Sequence, residues 1–163
     1  MNPAELANLH TVLGALKDAA PGTEIELADG ARARVEEDVP GSRGVEVSNQ
    51  DGSGWRMRVY DPAAERPASY PADLPFVPNT NMSITTGSEG NVMAVWETSD
   101  PDALFDHVFS QAASSEWQAQ PDNPLFAKLP GGMRMRELRL AERTRVIMRM
   151  NAKGQGIVAV FDS

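Results

Sequence analysis

A chain of 163 residues with 41% apolar and 23% charged residues has the size and composition of one soluble domain, or of two small halves that share a core. The net charge of -8 and the pI near 4.7 disfavour binding to bulk nucleic acid, because phosphates repel a net anion. The absence of cysteine excludes disulfides, thiolate nucleophiles and zinc–thiolate sites.

The sequence gives no sign of membrane insertion or export. No apolar run approaches the roughly 18 residues that a membrane span needs, and the first ten residues lack the basic and apolar regions of a signal peptide. We therefore expect a cytoplasmic protein with no membrane span. If Met1 follows a removed leader, a periplasmic or envelope location is expected instead.

The first segment, residues 1–61, predicts one helix followed by a small antiparallel meander. Asn2, Pro3 and Glu5 form a typical helix start. A leucine stripe follows at helical spacing, at Leu6, Leu9, Leu13 and Leu16. Short alternating runs then predict strands at 23–28, 31–36, 44–48 and 55–60, and Asp29-Gly30 is typical of a hairpin turn.

The second segment, residues 62–81, is a connector with five prolines. These are Pro62, Pro67, Pro71, Pro75 and Pro78. Such a stretch forms neither a helix nor a central strand. The apolar residues Leu74, Phe76 and Val77 indicate that the connector packs against the rest of the protein.

The third segment, residues 82–163, predicts the order β-β-α-β-β-β. A hairpin at 81–98 precedes a helix whose start, Ser99-Asp100-Pro101-Asp102, combines a cap, a first-turn proline and an acidic residue. Phe105 and Phe109 lie on the apolar face of this helix, which we expect to be the central core element. Strands follow at 134–141, 143–150 and 157–161. A slip in alternation between Met135 and Leu138 predicts either a β-bulge or a later start of the first of these strands.

Together these elements predict an α+β fold. We expect one antiparallel sheet, or two, with both helices packed on one face. Each half contains a helix followed by at least three strands, which leaves open a diverged duplication of an α-β-β-β unit.

Residues 70–161 carry a pattern of turns and apolar runs. It consists of the segment Tyr70-Pro71-Ala72-Asp73-Leu74-Pro75-Phe76-Val77-Pro78, a strand that ends in Thr98-Ser99-Asp100-Pro101, a helix that ends near Trp117, and closing strands. The pattern resembles the small α+β domains of uncharacterised bacterial proteins, many of them predicted envelope lipoproteins. The resemblance implies an envelope location and a role in binding or assembly, and it carries over no functional residues. The chain departs from the pattern at Glu116, where glycine is usual, and has no lipobox cysteine.

The residue types that support catalysis or metal binding are sparse. His10 and His107 lie on predicted helices without further ligands at helical or hairpin spacing. The glycine-containing segments 87–90 and 153–156 join predicted strands, whereas phosphate-binding loops lead into helices. The run Glu36-Glu37-Asp38 is typical of a solvated charged turn. We therefore expect no catalytic residues, no cofactor and no metal.

The last third of the chain concentrates positive charge. Residues 131–163 have a net charge of +4, and the other 130 residues have -12. The candidate docking face consists of Arg134, Arg136, Arg143, Arg145 and Arg149. Alternation places Val146, Met148 and Met150 on the opposite face, which we expect to be buried. Guanidinium groups bind carboxylates and phosphates, so we expect another protein or an anionic ligand as partner, unless the arginines are merely solvated.

These observations favour a non-enzymatic binding or assembly module that docks its partner on the arginine face. Two alternatives stay open at this point. One is a small-ligand binding protein or enzyme that uses a cleft between the two halves, near the connector. The other is an acidic chaperone or immunity-type protein that masks a basic partner. The oligomeric state and the strand order do not follow from the sequence.

Overall fold

The computed structural model describes residues 3–37, 39–87, 89–113, 116–122, 124, 133–152 and 155–163. These residues form two α-helices, α1 (Pro3–Asp18) and α2 (Pro101–Ala112), and ten β-strands. The strands are β1 (Glu24–Glu26), β2 (Arg32–Val35), β3 (Ser42–Ser48), β4 (Gly54–Tyr60), β5 (Met82–Gly87), β6 (Val92–Thr98), β7 (Gln118–Ala119), β8 (Arg134–Leu140), β9 (Arg143–Ala152) and β10 (Gln155–Asp162).

All of these strands belong to one antiparallel sheet with the order β1-β2-β3-β4-β5-β6-β10-β9-β8-β7. Strands β4 and β5 pair directly although the connector separates them in sequence. The sheet is therefore continuous across the predicted boundaries at residues 61 and 82. The division of the chain into three segments stays a prediction.

The predicted α+β class, with both helices on one face, is wrong. The sheet dominates the described part of the chain, and the two helices lie on its opposite faces. In β4, Met57 belongs to the core under α1 and Tyr60 to the core under α2. They are three positions apart on the strand, so their side chains project from opposite faces. The two helix-then-strand segments are thus not two copies of one packed α-β-β-β unit.

Helix α1 packs on the sheet through a stripe that differs from the predicted leucine stripe. Val12 and Leu16 are buried, whereas Leu13 is 43% exposed. The buried pair belongs to one core cluster with Val45 and Val47 of β3. The β-branched Val12 thus takes the place that the spacing of the leucines assigned to Leu13.

Helix α2 begins as predicted. The side chain of Asp100 accepts a hydrogen bond from the backbone N–H of Ala103 at 3.2 Å, and Pro101 occupies the first turn. The cap predicted for α1, Asn2, lies outside the described residues. The buried face of α2 consists of Leu104, Phe105, Val108 and Ala112.

The connector packs beside α2, as predicted. Leu74 and Val77 are buried in the same core as Tyr60. Tyr70 is 4% exposed, contacts the Tyr60 ring edge-to-face at 5.4 Å, and donates its hydroxyl proton to the carbonyl of Pro75. Burial raises the pKa of Tyr70 above its usual value, so the phenol stays a neutral donor.

Two local predictions about turns and register have different outcomes. The Asp29-Gly30 turn is confirmed, because both residues have positive φ and β1 pairs back on β2. Neither the bulge nor the later strand start predicted from the slip between Met135 and Leu138 is found, since β8 and β9 pair without interruption from Arg134 to Leu140. The two-residue strand β7 is too short for alternation to predict.

We expect Phe105→Ala to lower the free energy of unfolding by about 3–5 kcal/mol, because the ring is 1% exposed and its loss leaves a cavity under α2. Phe109→Ala should cost roughly half as much, since its ring is half-buried. Leu13→Ala is the control and should change stability by about 0.5 kcal/mol or less. Urea denaturation measures all three, and equally small effects of Phe105→Ala and Leu13→Ala would contradict the placement of α2.

Candidate functional site

The predicted arginine face is the face of the sheet that α2 and the connector cover. Cross-strand register places the five arginines on the same face of the sheet as Leu138, Ile147 and Val158, which are buried in the core under α2. The exposed fractions of the arginine side chains are 1% for Arg145, 14% for Arg149, 26% for Arg136, 48% for Arg134 and 50% for Arg143.

Arg145 is the most buried of these arginines, and its guanidinium binds partners within the chain. It forms a bidentate pair with the carboxylate of Asp162, with both N–O distances at 2.7 Å, and donates to the carbonyl of Asp73 at 2.9 Å. It also stacks on Trp117, 4.2 Å from the ring centroid. Arg143 contacts the same ring at 5.1 Å and the Asp73 carboxylate at 3.6 Å.

Arg134 and Arg149 hold the N-terminal end of α2 against the sheet. Arg134 stacks on Phe105 at 4.5 Å and approaches the carboxylates of Asp102 and Asp106 at 3.6 and 3.8 Å. Arg149 approaches Asp102 at 3.3 Å. Negative charge near a helix N-terminus is favourable, and here it also meets the sheet's positive charge.

Arg136 repeats this arrangement farther along α2. Its guanidinium stacks on Phe109 at 4.5 Å and lies 2.9 Å from the carboxylate of Asp122. The arginines of the candidate docking face thus contact aromatic rings and carboxylates of the same chain. A docking role for them stays a prediction.

The residues that alternate with these arginines, and the cross-strand neighbours of those residues, form a second surface on the other face of the sheet. We call it the methionine face. It consists of Met93, Val95, Met135, Val146, Met148, Met150, Ile157, Ala159 and Phe161. All except Ala159 are half-buried, and none belongs to either hydrophobic core. The expectation that Val146, Met148 and Met150 are buried is therefore wrong. Helix α2 covers the other face of these strands, and α1 lies over β2 and β3.

A groove of about 640 Å³ runs along the flank of α1 and opens toward the methionine face. Leu9 of α1 forms one wall, and Trp55, Met57, Thr85 and Met93 form the sheet side. The floor therefore crosses β4, β5 and β6. Half-exposed apolar surface thus continues from the groove onto the methionine face.

Carboxylates and amides close one end of this groove. Asp29 and Asp51 line it together with Asn49 and Gln50. Asn8 holds the turn against α1, because its side chain accepts from the N–H of Ala28 at 2.8 Å. Hydrogen bonds to Asp51 from the hydroxyl and backbone N–H of Ser53 lower the pKa of that carboxyl, so it is ionised at neutral pH.

The half of the sheet under α1 also has a bare face, and that face is polar. Arg56 donates to Glu36 from two nitrogens at 2.8 and 2.9 Å, and Arg58 pairs with the other oxygen of this carboxylate. Arg34 approaches Glu46 at 3.5 Å. Burial alone would raise the pKa of Glu36, but the hydrogen bond and charge of Arg56, together with Arg58, hold it below its usual value. Glu36 is thus part of an ion-pair cluster, which the charge run alone did not indicate.

A smaller cleft of about 340 Å³ lies beside the connector, where the enzyme or small-ligand alternative would place its site. Both of its arginines are already engaged. Arg145 pairs with Asp162, and Arg66 donates to the carbonyls of Ala72 and Leu74 at 2.9 and 3.0 Å. This cleft therefore presents cations whose hydrogen bonds hold the fold.

The two histidines lie on the helices, as predicted, and both are exposed. The side chain of Gln111 accepts from the N–H of Phe76 at 3.1 Å, and its amide nitrogen lies 2.7 Å from Nε2 of His107. An amide nitrogen only donates, so His107 accepts at Nε2 and carries its proton on Nδ1. Across the described residues, no cluster of three or more histidine or acidic side chains could hold a metal ion. Neither described helix is long and apolar enough to cross a bilayer.

Comparison with known proteins adds no functional information. No protein-family model matches the chain, and no curated protein or solved structure is significantly similar to it. The resemblance to bacterial envelope domains, and the location that it implies, stay predictions.

We expect Arg145→Met to lower the free energy of unfolding by about 3–5 kcal/mol, because it leaves Asp162 buried without a counter-charge. The double variant Arg145→Met/Asp162→Leu should recover most of this loss, since it removes both charges. Arg143→Met is the matched control and should cost less than about 1 kcal/mol, because this side chain is half-exposed. A double-mutant cycle by urea denaturation measures the coupling. If the effects of Arg145→Met and Asp162→Leu on the free energy of unfolding are additive, the two residues are not coupled and the prediction is wrong.

We expect Glu36→Gln to lower stability at neutral pH by about 1 kcal/mol, because it removes the charge that Arg56 and Arg58 share. The pKa of Glu36 is lowered in the folded state, so its contribution is present above its ordinary pKa and is lost as pH falls through the folded value. The melting temperatures of the variant and the wild type should therefore converge below about pH 4.5. A difference in melting temperature between variant and wild type that stays the same from neutral pH to below about pH 4.5 would argue against the ion-pair explanation.

Proposed function

We propose that this protein is a non-enzymatic binding module that docks an apolar segment of another protein on its methionine face. One contrast carries the proposal. Among the described residues, each half of the sheet has one face that no helix covers. In the half under α1 that face carries ion pairs such as Arg34–Glu46, whereas in the half under α2 it carries eight half-buried apolar side chains. Polar surface is stable in water, but contiguous apolar surface of this kind marks an interaction site.

The side chains of the methionine face suit a partner with an irregular surface. Four of its nine residues are methionines, whose flexible thioethers repack around different shapes. Met148 lies near the centre, since it pairs with Met135 on one side and Ala159 on the other. Lysine and arginine are missing from the interior of this patch. These features support burial by a partner more than they support solvent exposure.

A small apolar ligand in the groove beside α1 is a second candidate function. The volume of about 640 Å³ lies in the range of small-molecule sites, and Trp55 and Met57 provide apolar walls. This candidate uses only the end of the apolar surface next to α1. It leaves Met148 and Met150, two strands away on β9, without an explanation.

We expect a designed amphipathic peptide of about 18 residues, with leucines on one side and glutamine and serine on the other, to bind this surface. Met148→Lys should weaken binding about tenfold or more, because it places an ammonium group in an apolar contact. Leu13→Lys, on the exposed side of α1, should leave the affinity unchanged. Isothermal titration calorimetry measures the affinities, and thermal melts check that both variants fold.

Two results would contradict the proposal. One is peptide binding that both lysine variants leave intact. The other is a wild-type protein that binds no peptide but binds a small apolar dye in the groove. That result would favour the second candidate function.

A further inference from the structure

The methionine face lies on the side of the sheet on which α1 packs. Helix α1 contacts β2 and β3 there, and a helix with its side chains is about 10 Å across. The bare strands from β5 to β8 extend about 19 Å beyond it, which is room for a helix lying beside α1. Leu9 already offers an apolar flank to such a neighbour. A helix in this position would cover the groove and the adjoining part of the methionine face.

The charges on this side of the sheet are strongly biased. Of the eleven arginines in the described strands, nine project from the opposite face, and only Arg43 and Arg139 project from this one. Both have partners. Arg43 donates to the carbonyls at the C-terminus of α1, and Arg139 donates to Glu137 at 2.8 Å. Asp29 and Asp51 then leave the end of the groove negative.

From this shape and this charge we infer that the partner segment is a cationic amphipathic helix, an inference that rests on the proposed function. Its apolar side covers the methionine face, and its lysines or arginines reach Asp29 and Asp51. The same acidic end favours the positive N-terminal end of the incoming helix.

A second copy of the chain fits this surface less well. Each copy carries a net charge of -8, so two copies repel. Helix α1 also projects beside the methionine face, so a second flat sheet could not cover that face without meeting the helix. A single basic helix meets neither obstacle.

Three peptides with one leucine side and different polar sides test the inference. The polar positions are lysine, glutamine or glutamate, and calorimetry gives the affinities at low and moderate salt. We expect the lysine peptide to bind about tenfold or more tightly than the glutamate peptide, with the glutamine peptide between them. Asp29→Asn/Asp51→Asn should weaken the lysine peptide several-fold and reduce its salt dependence. The control Asp61→Asn/Glu65→Gln removes the same charge from two exposed positions at the start of the connector. It should change neither the affinity for the lysine peptide nor its salt dependence.

The outcomes separate the inference from the function on which it rests. If the glutamine peptide binds and Met148→Lys weakens it, but lysine and glutamate peptides bind equally, the cationic partner is excluded and the docking face stands. If Asp29→Asn/Asp51→Asn and the control double variant lower the affinity for the lysine peptide equally, the attraction comes from the overall charge of the protein and the inference fails. If no peptide binds, both proposals fail. If sedimentation shows a dimer that Met148→Lys dissociates, a second copy occupies the face and the inference is overturned.

Discussion

The buried pair of Arg145 and Asp162 fixes the arrangement of the sheet under α2. The two residues are direct cross-strand neighbours on β9 and β10, and both are nearly inaccessible to solvent. A slip of one residue in this register would leave two unpaired charges on opposite faces, one of them in the core, which costs far more than a surface ion pair. The same guanidinium stacks on Trp117 and binds the carbonyl of Asp73. One side chain therefore ties together two strands, the connector and the segment after α2.

This use of arginine decides the character of both surfaces of the sheet. Except for Arg139, the arginines of β8 and β9 lie on the face that α2 and the connector cover. There they meet the carboxylates of Asp102, Asp106 and Asp122 and the rings of Phe105, Phe109 and Trp117. The described arginines of the last third of the chain are thus engaged in contacts within the chain. Most of the alternating residues on the other face are apolar, and Asp29 and Asp51 line the end of the groove beside them.

The sequence predicted local structure well because the signals for it are local. Alternation placed most of the strands, the Asp29-Gly30 turn was correct, and the start of α2 followed from Asp100 and Pro101. Alternation also separated the arginines correctly from Val146 and Met148. It says which residues share a face, but it does not say which face a helix covers.

Burial of the arginine-bearing face could not be derived from alternation alone. In β10 both parities are apolar, since Val158 and Val160 point one way and Ile157 and Phe161 the other. The available signals were apolar residues with the parity of the arginines, among them Ile147 on β9 and Leu138 on β8. The partners Trp117 and Asp162 come from separate parts of the chain, and no local pattern connects them with Arg145.

The edges of the sheet limit how another chain can approach it. Among the described strands, the outermost are β1 with three residues and β7 with two. An added strand needs a row of free backbone N–H and C=O groups, and edges this short offer only a few. Within the described part of the chain, these two strands offer little template for growth by strand addition, the common route to β-aggregation. Under the proposed function, recognition proceeds through side chains on a face, and selectivity depends on shape and charge more than on shared backbone hydrogen bonds.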